Sequence, residues 1–277
     1  MRAAVSAQAA AIRRHAPRAR RGQDPEALHH MRTAIRRLRA ILRAVRRRFD
    51  RAEVDRLRAE LRWLGRTLGA ARDADVLRAH LRHPLARLAR VDPGTVRRLR
   101  DRLDAQRVAA RTRVAAALAS RRYRALADAL EVVSRRPPPD GDGEEVVLAD
   151  VAAAQFKKLR KAVEALSAEP TDRDLHAVRI KVKRARYTGE LARPEVGRRA
   201  VKFVDQAARV QDVLGEHQDA AVAERRLRRL LAGARGGAAR ATLRRLIEQQ
   251  RRRRRAARAA FRDAWPKLAR RGRKAWR

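Results

Sequence analysis

The chain has 277 residues, and its 72 Lys plus Arg against 31 Asp plus Glu give a formal charge of +41. All but eight of those cations are Arg, which stays protonated and offers a planar fork of donors, so the expected partner is a polyanion. The lack of cysteine excludes disulfides, thiolate metal sites and cysteine nucleophiles, and 3% aromatics with little β-branched alternation argues against an all-β fold.

Ala, Leu and Arg are good helix formers, and the apolar residues recur at helical spacing, so an all-α fold is expected. The start, Met1 to Val5, leads into an Ala-rich amphipathic stretch without the apolar core of a signal peptide. No apolar run reaches the roughly 20 residues that span a bilayer, so a soluble cytoplasmic protein with no membrane partner is expected. The first helix carries Ile12, Arg13 and Arg14. Asp24-Pro25 then reads as an N-cap with Pro at the first helical position, where its missing N–H costs nothing. In the helix that follows, Leu28, Met31, Ile35, Leu38, Leu42 and Val45 cover an arc of about 100°, the width of a core-facing stripe. His29, Arg32, Arg36, Arg39 and Arg43 lie directly beside that stripe, a ladder of cations along roughly 20 Å of helix.

Further on, Leu57, Leu61, Leu64 and Leu68-Gly69 precede Asp73, Asp75 and Val76, and Asp92-Pro93 reads as another capped start. The stretch from Ser134 to Gly143 is rich in Pro, Asp and Gly and reads as a linker. After it come Lys157, Lys158, Arg160 and Lys161 on the first helix of the second half. Thr171 through Asp174 crowd oxygen acceptors and negative charge ahead of His176, Arg179, Lys183 and Arg186, with Leu175, Val178 and Val182 beside them. Glu190 takes the next rung, so the second ladder is shorter, or Glu190 pins a cation one turn back. Pro194, Gly197 and Gly236-Gly237 mark further breaks, and about four helices per half are expected.

The two halves repeat. Leu28-His29-His30-Met31-Arg32 matches Leu175-His176-Ala177-Val178-Arg179, and Ile35, Arg36, Arg37 and Arg39 fall on Val182, Lys183, Arg184 and Arg186. Leu68-Gly69, Asp73 and Val76 meet Leu214-Gly215, Asp219 and Val222 at nearly the same offset. The expected organisation is a first helical half over 1–134, a linker over 135–145, a second half over 146–265 and a basic C-terminal tail over 266–277.

Like charges one turn apart destabilise a helix by a few tenths of a kcal/mol per pair, about the scale measured for ion pairs of opposite sign. A multivalent anion reverses that sign, because each phosphate accepts charge-assisted hydrogen bonds from guanidinium groups. Most of the other arginines read as solvated helix surface. His29 and His176 each open a ladder, where a helix N-terminus favours negative charge and an imidazole titrates near neutrality. Metal binding fits poorly, because the surrounding cations would repel the ion. Asp73, Asp75 and Asp219 are too few to neutralise the ladders and are expected to orient particular Arg or His side chains. No paired-carboxylate, nucleophile or Gly-rich phosphate motif accompanies them, so no catalytic residue and no cofactor are expected.

The blocks Leu28-His29-x-x-Arg32-x-x-x-Arg36-Arg37-Leu38-Arg39, Leu68-Gly69-x-x-Arg72-Asp73-x-Asp75, Leu175-His176-x-x-Arg179-x-x-x-Lys183-Arg184-x-Arg186-Tyr187-x-x-Glu190 and Leu214-Gly215-x-His217-x-Asp219 resemble the CHAD family, the conserved histidine α-helical domain, over roughly residues 5 to 265. That resemblance implies two four-helix bundles related by a pseudo-twofold axis, with a basic central channel that binds inorganic polyphosphate without catalysis and targets polyphosphate granules. It further implies a stand-alone member, with no triphosphate-processing domain ahead of it. The ligand-facing set would be His29, Arg32, Arg36, Arg39, Arg43, His176, Arg179, Lys183 and Arg186, joined by Arg13, Arg14, Lys157, Lys158, Arg160 and Lys161. Asp73 and Asp219 would orient them. The sequence departs from the pattern at Ala185 and at Gln218, which stands where the first half has Arg72. A nucleic-acid binder that uses its outer surface is the rival reading, and a phosphatase or polyphosphate kinase the second.

Overall fold

The computed structural model describes residues 2–22, 24–44, 51–89, 93–135, 147–234 and 236–276, and every regular element among them is an α-helix. In chain order these are α1 (Arg2–Arg21), α2 (Pro25–Ala44), α3 (Arg51–Ala89), α4 (Pro93–Ala119) and α5 (Arg121–Arg135). Then follow α6 (Leu148–Glu164), α7 (Asp172–Leu191), the single turn α8 (Arg193–Val196), α9 (Arg198–Gly233) and α10 (Gly237–Ala275). The fold is all-α, as the composition implies. Val45, Asp92 and nearly all of the expected linker lie outside the described residues.

Local chemistry sets the helix ends. Asp24 Oδ1 accepts from the backbone N–H groups of Glu26 (2.8 Å) and Ala27 (3.1 Å), as an N-cap does. Thr171 and Asp174 form a reciprocal capping box at the start of α7, satisfying two backbone donors that the first turn would leave open. Ser120 separates α4 from α5 by accepting from the Tyr123 N–H at 3.2 Å, a break that the expectation of four helices did not include. Gly197 (φ +65°) and Gly236 (φ +94°) hold the left-handed backbone that lets α9 and α10 begin where they do.

The chain forms two compact units, one of Met1–Arg78 with Asp101–Val146 and one of Ala79–Arg100 with Val147–Arg277. A division at 135–145 has no place for this exchange of the segment 79–100, which rests on non-local bonds. His80 Nε2 lies 2.9 Å from Gln250 Oε1 of α10, and Arg253 Nη1 reaches the same ring nitrogen at 3.1 Å. In the first unit the apolar stripe of α2 is core: Leu28, Met31, Ile35, Leu38 and Leu42 are at most 5% exposed. It is buried with Ile12 of α1 and Leu61, Leu64 and Leu68 of α3.

The second unit has its own core, in which Leu175, Val178 and Val182 of α7 cluster with Phe203, Val210 and Leu214 of α9. Helix α10 packs along α9 and adds Phe261 and Leu268. Residues 266–277, set apart in the sequence as a basic tail, are the last turns of α10 as far as Ala275, and Leu268, Ala269, Gly272 and Ala275 are buried. Their apolar spacing was masked by the arginines between them.

Candidate functional site

In the first unit the close approach of α2 and α3 builds a cluster around His29. A Cβ placed on Gly65 would sit 3.4 Å from Ile35 Cγ2, so α3 runs tight against α2 and carries Gly69, Arg72 and Asp73 to its cationic edge. Arg32 Nη1 donates to the Gly69 carbonyl at 3.2 Å and lies 3.5 Å from Asp73 Oδ1. Arg36 Nη2 donates to Thr33 Oγ1 at 3.0 Å. Burial, then the charges of Arg72 and Arg36, hold the His29 imidazole below its ordinary pKa. Burial also lowers the Arg32 guanidinium, opposed by Asp73 and reinforced by Arg36 and Arg72. Asp73 is 79% exposed, so this carboxylate faces water more than it faces the cations.

Two residues of this neighbourhood escaped the sequence reading as ligand candidates. Arg72 was visible inside the Leu68-Gly69-x-x-Arg72-Asp73 block but was not assigned to the ladder. His15 of α1 stacks on His30 with ring centroids 5.1 Å apart, and His29 meets His30 edge-on at 5.8 Å. Burial, followed by His30, Arg14 and Arg18, lowers the His15 pKa. Arg14 thus stands beside His15, whereas Arg13 lies 3.8 Å from Glu131 of α5. Arg39 is half-buried on α2 and Arg43 exposed near its end. Asp75 orients cations, but not those of the ladder: Arg107 Nε (2.9 Å) and Arg111 Nη2 (3.1 Å) hold it, and Arg111 also donates to the Gly22 carbonyl.

The second unit places the matching arginine at the matching glycine in a different contact. Arg179 lies over Gly215, where a Cβ would be 3.6 Å from its Nη2, whereas Arg32 donates to the Gly69 carbonyl and leaves the Cβ side of Gly69 open. Lys183 follows one turn on, half-buried. His176 is exposed, with Nδ1 3.2 Å from Gln218 Oε1, so the residue that replaces the arginine of the first repeat meets the histidine. Arg186 Nε lies 3.3 Å from Glu190 Oε1 and its guanidinium covers the Tyr187 ring at 5.0 Å. Glu190 therefore pins its own neighbour, and this rung is neutralised. Asp219 is half-buried on α9. On α6, Lys157, Lys158 and Lys161 are exposed, and Arg160 Nε is 3.3 Å from Glu164.

A buried polar network in the same unit was not anticipated. Asp172 Oδ1 accepts from Arg254 and, at 3.3 Å, from Arg258 Nη2. Arg258 Nε donates to His217 Nε2 at 3.3 Å, which makes that nitrogen an acceptor. Burial, with Arg258 and Arg254 adding to it against Asp172, lowers the His217 pKa to about 4. Glu224, 1% exposed, takes Arg254 at 2.5 Å, Arg228 at 2.7 Å and Arg251 at 3.2 Å. These α10 arginines are consumed in tying α10 to α7 and α9. Among the described residues, no helix is long and apolar enough to cross a membrane, and no group of three or more His, Asp or Glu could hold a metal ion.

An all-α scaffold of two units, each bringing an arginine of a helix-borne cationic row to a glycine of the next long helix, defines a duplicated helical module. The chain belongs to the CHAD domain family, whose model matches residues 3–228. The matched stretch stops short of α10 and of the 5–265 span suggested by the motifs. The chain is 34% identical over 223 residues to two uncharacterised proteins of Mycobacterium tuberculosis, MT2285 of strain CDC 1551 / Oshkosh and Rv2226 of strain ATCC 25618 / H37Rv. Those matches cover 76% of this chain and 41% of each relative, so the chain spans about two fifths of the length of the curated relatives it matches. Among solved structures, PptA from Streptomyces chartreusis superimposes with a TM-score of 0.76 at 26% identity, covering 95% of this chain and 96% of that one. The CHAD domain from the plant Ricinus communis gives 0.74 at 28% identity, covering 95% and 89%.

Proposed function

We propose that the chain binds inorganic polyphosphate, without chemical turnover, through His29, Arg32, Arg36 and Arg72 in the first unit and His176, Arg179 and Lys183 in the second. The observation that carries this reading is the repeated guanidinium: Arg32 bonded to the Gly69 carbonyl and Arg179 packed against Gly215, each on a helix-borne row of cations. Such rows repel themselves in the free protein, and a chain of phosphates relieves that repulsion with charge-assisted hydrogen bonds. A phosphate chain has no bases to stack, and the rows contain no Trp, Tyr or Phe. In a cell, this reading puts the chain in the cytoplasm at polyphosphate granules.

The test is titration of the full chain with long-chain polyphosphate, with duplex DNA at equal phosphate concentration as competitor. Replacing Arg32, Arg36, Arg179 and Lys183 together by Ala should weaken polyphosphate binding at least about a hundredfold, since each charge-assisted contact is worth about 1.5–3 kcal/mol, while far-UV CD stays helical. If DNA displaces the polyphosphate, the nucleic-acid reading replaces this one. Release of orthophosphate, or its transfer to ADP, would make the protein an enzyme.

A further inference from the structure

The second unit also holds a cleft of about 720 Å³ between α6 and the last turns of α10, within the usual size of a small-ligand site. Lys157 and Arg160 of α6 line one side, and Arg270, Arg273 and Lys274 of α10 the other. Among the described residues that line it there is no Asp or Glu; Arg160 has its partner Glu164 on its own helix. Phe156 and Trp276 form an apolar wall.

That wall is fixed in place. Trp276 packs edge-on against Phe203 with centroids 5.2 Å apart, and a Cβ on Gly189 would stand 3.2 Å from its ring. Gly272 lets α10 close on Phe156, because a Cβ there would fall 2.3 Å from the Phe156 ring. Basic residues in a last turn offset the partial negative charge of a helix C-terminus, which accounts for Arg273 and Lys274. It does not account for Lys157 and Arg160, which come from another helix and line the same hollow. Five cations around one cavity raise its potential enough to concentrate an anion there.

We propose that this cleft is a second anion site, distinct from the α7 row, that takes a short oligophosphate. Its source is either free tripolyphosphate or the triphosphate of a nucleotide, whose base the Trp276 face would cover. The site shares Lys157 and Arg160 with the set that the family resemblance implies, and it differs from the α7 row in using neither Arg179 nor Lys183.

The experiment is fluorine NMR of the full chain labelled with fluorotryptophan, which gives one resonance for each of its three Trp; the Trp276→Phe variant identifies the one at the cleft. Tripolyphosphate should shift the Trp276 resonance saturably, beyond the effect of sodium chloride at equal ionic strength. ATP moving it further than tripolyphosphate identifies a nucleotide, and equal shifts identify the phosphate chain alone. Two exposed double variants, Arg270→Ala with Arg273→Ala and Lys157→Ala with Lys274→Ala, should each weaken this titration at least about tenfold. The Arg179→Ala with Lys183→Ala variant should leave it unchanged. A resonance that responds only to ionic strength, or a titration that survives both cleft variants, overturns the proposal whatever becomes of long-chain binding.

Discussion

His217 shows how a protein dense in arginine keeps an imidazole neutral. It is 2% exposed and accepts a hydrogen bond from Arg258, so protonation would remove that bond and bury a charge. Its pKa falls from 6.5 to about 4. Between those values the unfolded chain binds the proton that the folded chain refuses, so stability rises with pH across this window and is lost on acidification. Lowering the pH from about 7 to about 5 should cost about 2 kcal/mol through this group alone, read from urea unfolding. In the His217→Gln variant that part of the slope should vanish; a variant with the parental slope would remove His217 from the account. The neighbouring Asp172 acts in a lower range: burial opposes it, but Arg254, His217 and Arg258 hold its carboxyl below the ordinary value, so its contribution goes only in stronger acid.

At the level of elements, what could be read from the sequence was what one helix decides for itself. The buried face of α2 follows from spacing alone, Asp24 and Thr171 are local caps, and Arg186 with Glu190 is a pair one turn apart. Contacts that depend on how a second helix is turned were not legible. Arg13 looks identical to Arg14 in the sequence, yet the packing of α1 on α5 gives it Glu131. His217 stood in a recognised block, but its partners Asp172, Arg254 and Arg258 come from α7 and α10. Helix α10 did carry a signal, since Ala257, Phe261, Leu268, Gly272 and Ala275 fall on one face. Its closest contact gives a direct check. Gly272→Ala should destabilise the protein by about 1–3 kcal/mol, because its methyl would overlap the Phe156 ring. Pairing it with Phe156→Leu should recover part of that loss in chemical denaturation, whereas additive losses would show that the two sites are not in steric conflict.

For the whole molecule, charge and core are not segregated. The stretch from Arg251 to Arg277 holds thirteen basic residues and one Asp, and its last part, 266–277, reads in the sequence as a basic tail. The structure assigns it a different weight: it supplies Phe261 and Leu268 to the second core, and Arg251 and Arg254 to the buried Glu224. Deleting residues 251–277 should therefore abolish the cooperative thermal transition of the second unit in a CD melt, through the loss of two of the three guanidinium partners of the buried Glu224 carboxylate as much as through lost apolar contacts. A truncated chain that melts like the parent would contradict this.

The membership of Ala79–Arg100 in the second unit bears on how the chain is made. A ribosome releases His80 long before Gln250, 170 residues further on, with which it bonds. The earlier segment must wait, tethered, until α10 has emerged. Translation order and assembly order thus part company: α10 closes a body whose opening piece was delivered well before it, and a messenger cut short anywhere before α10 yields no finished second body.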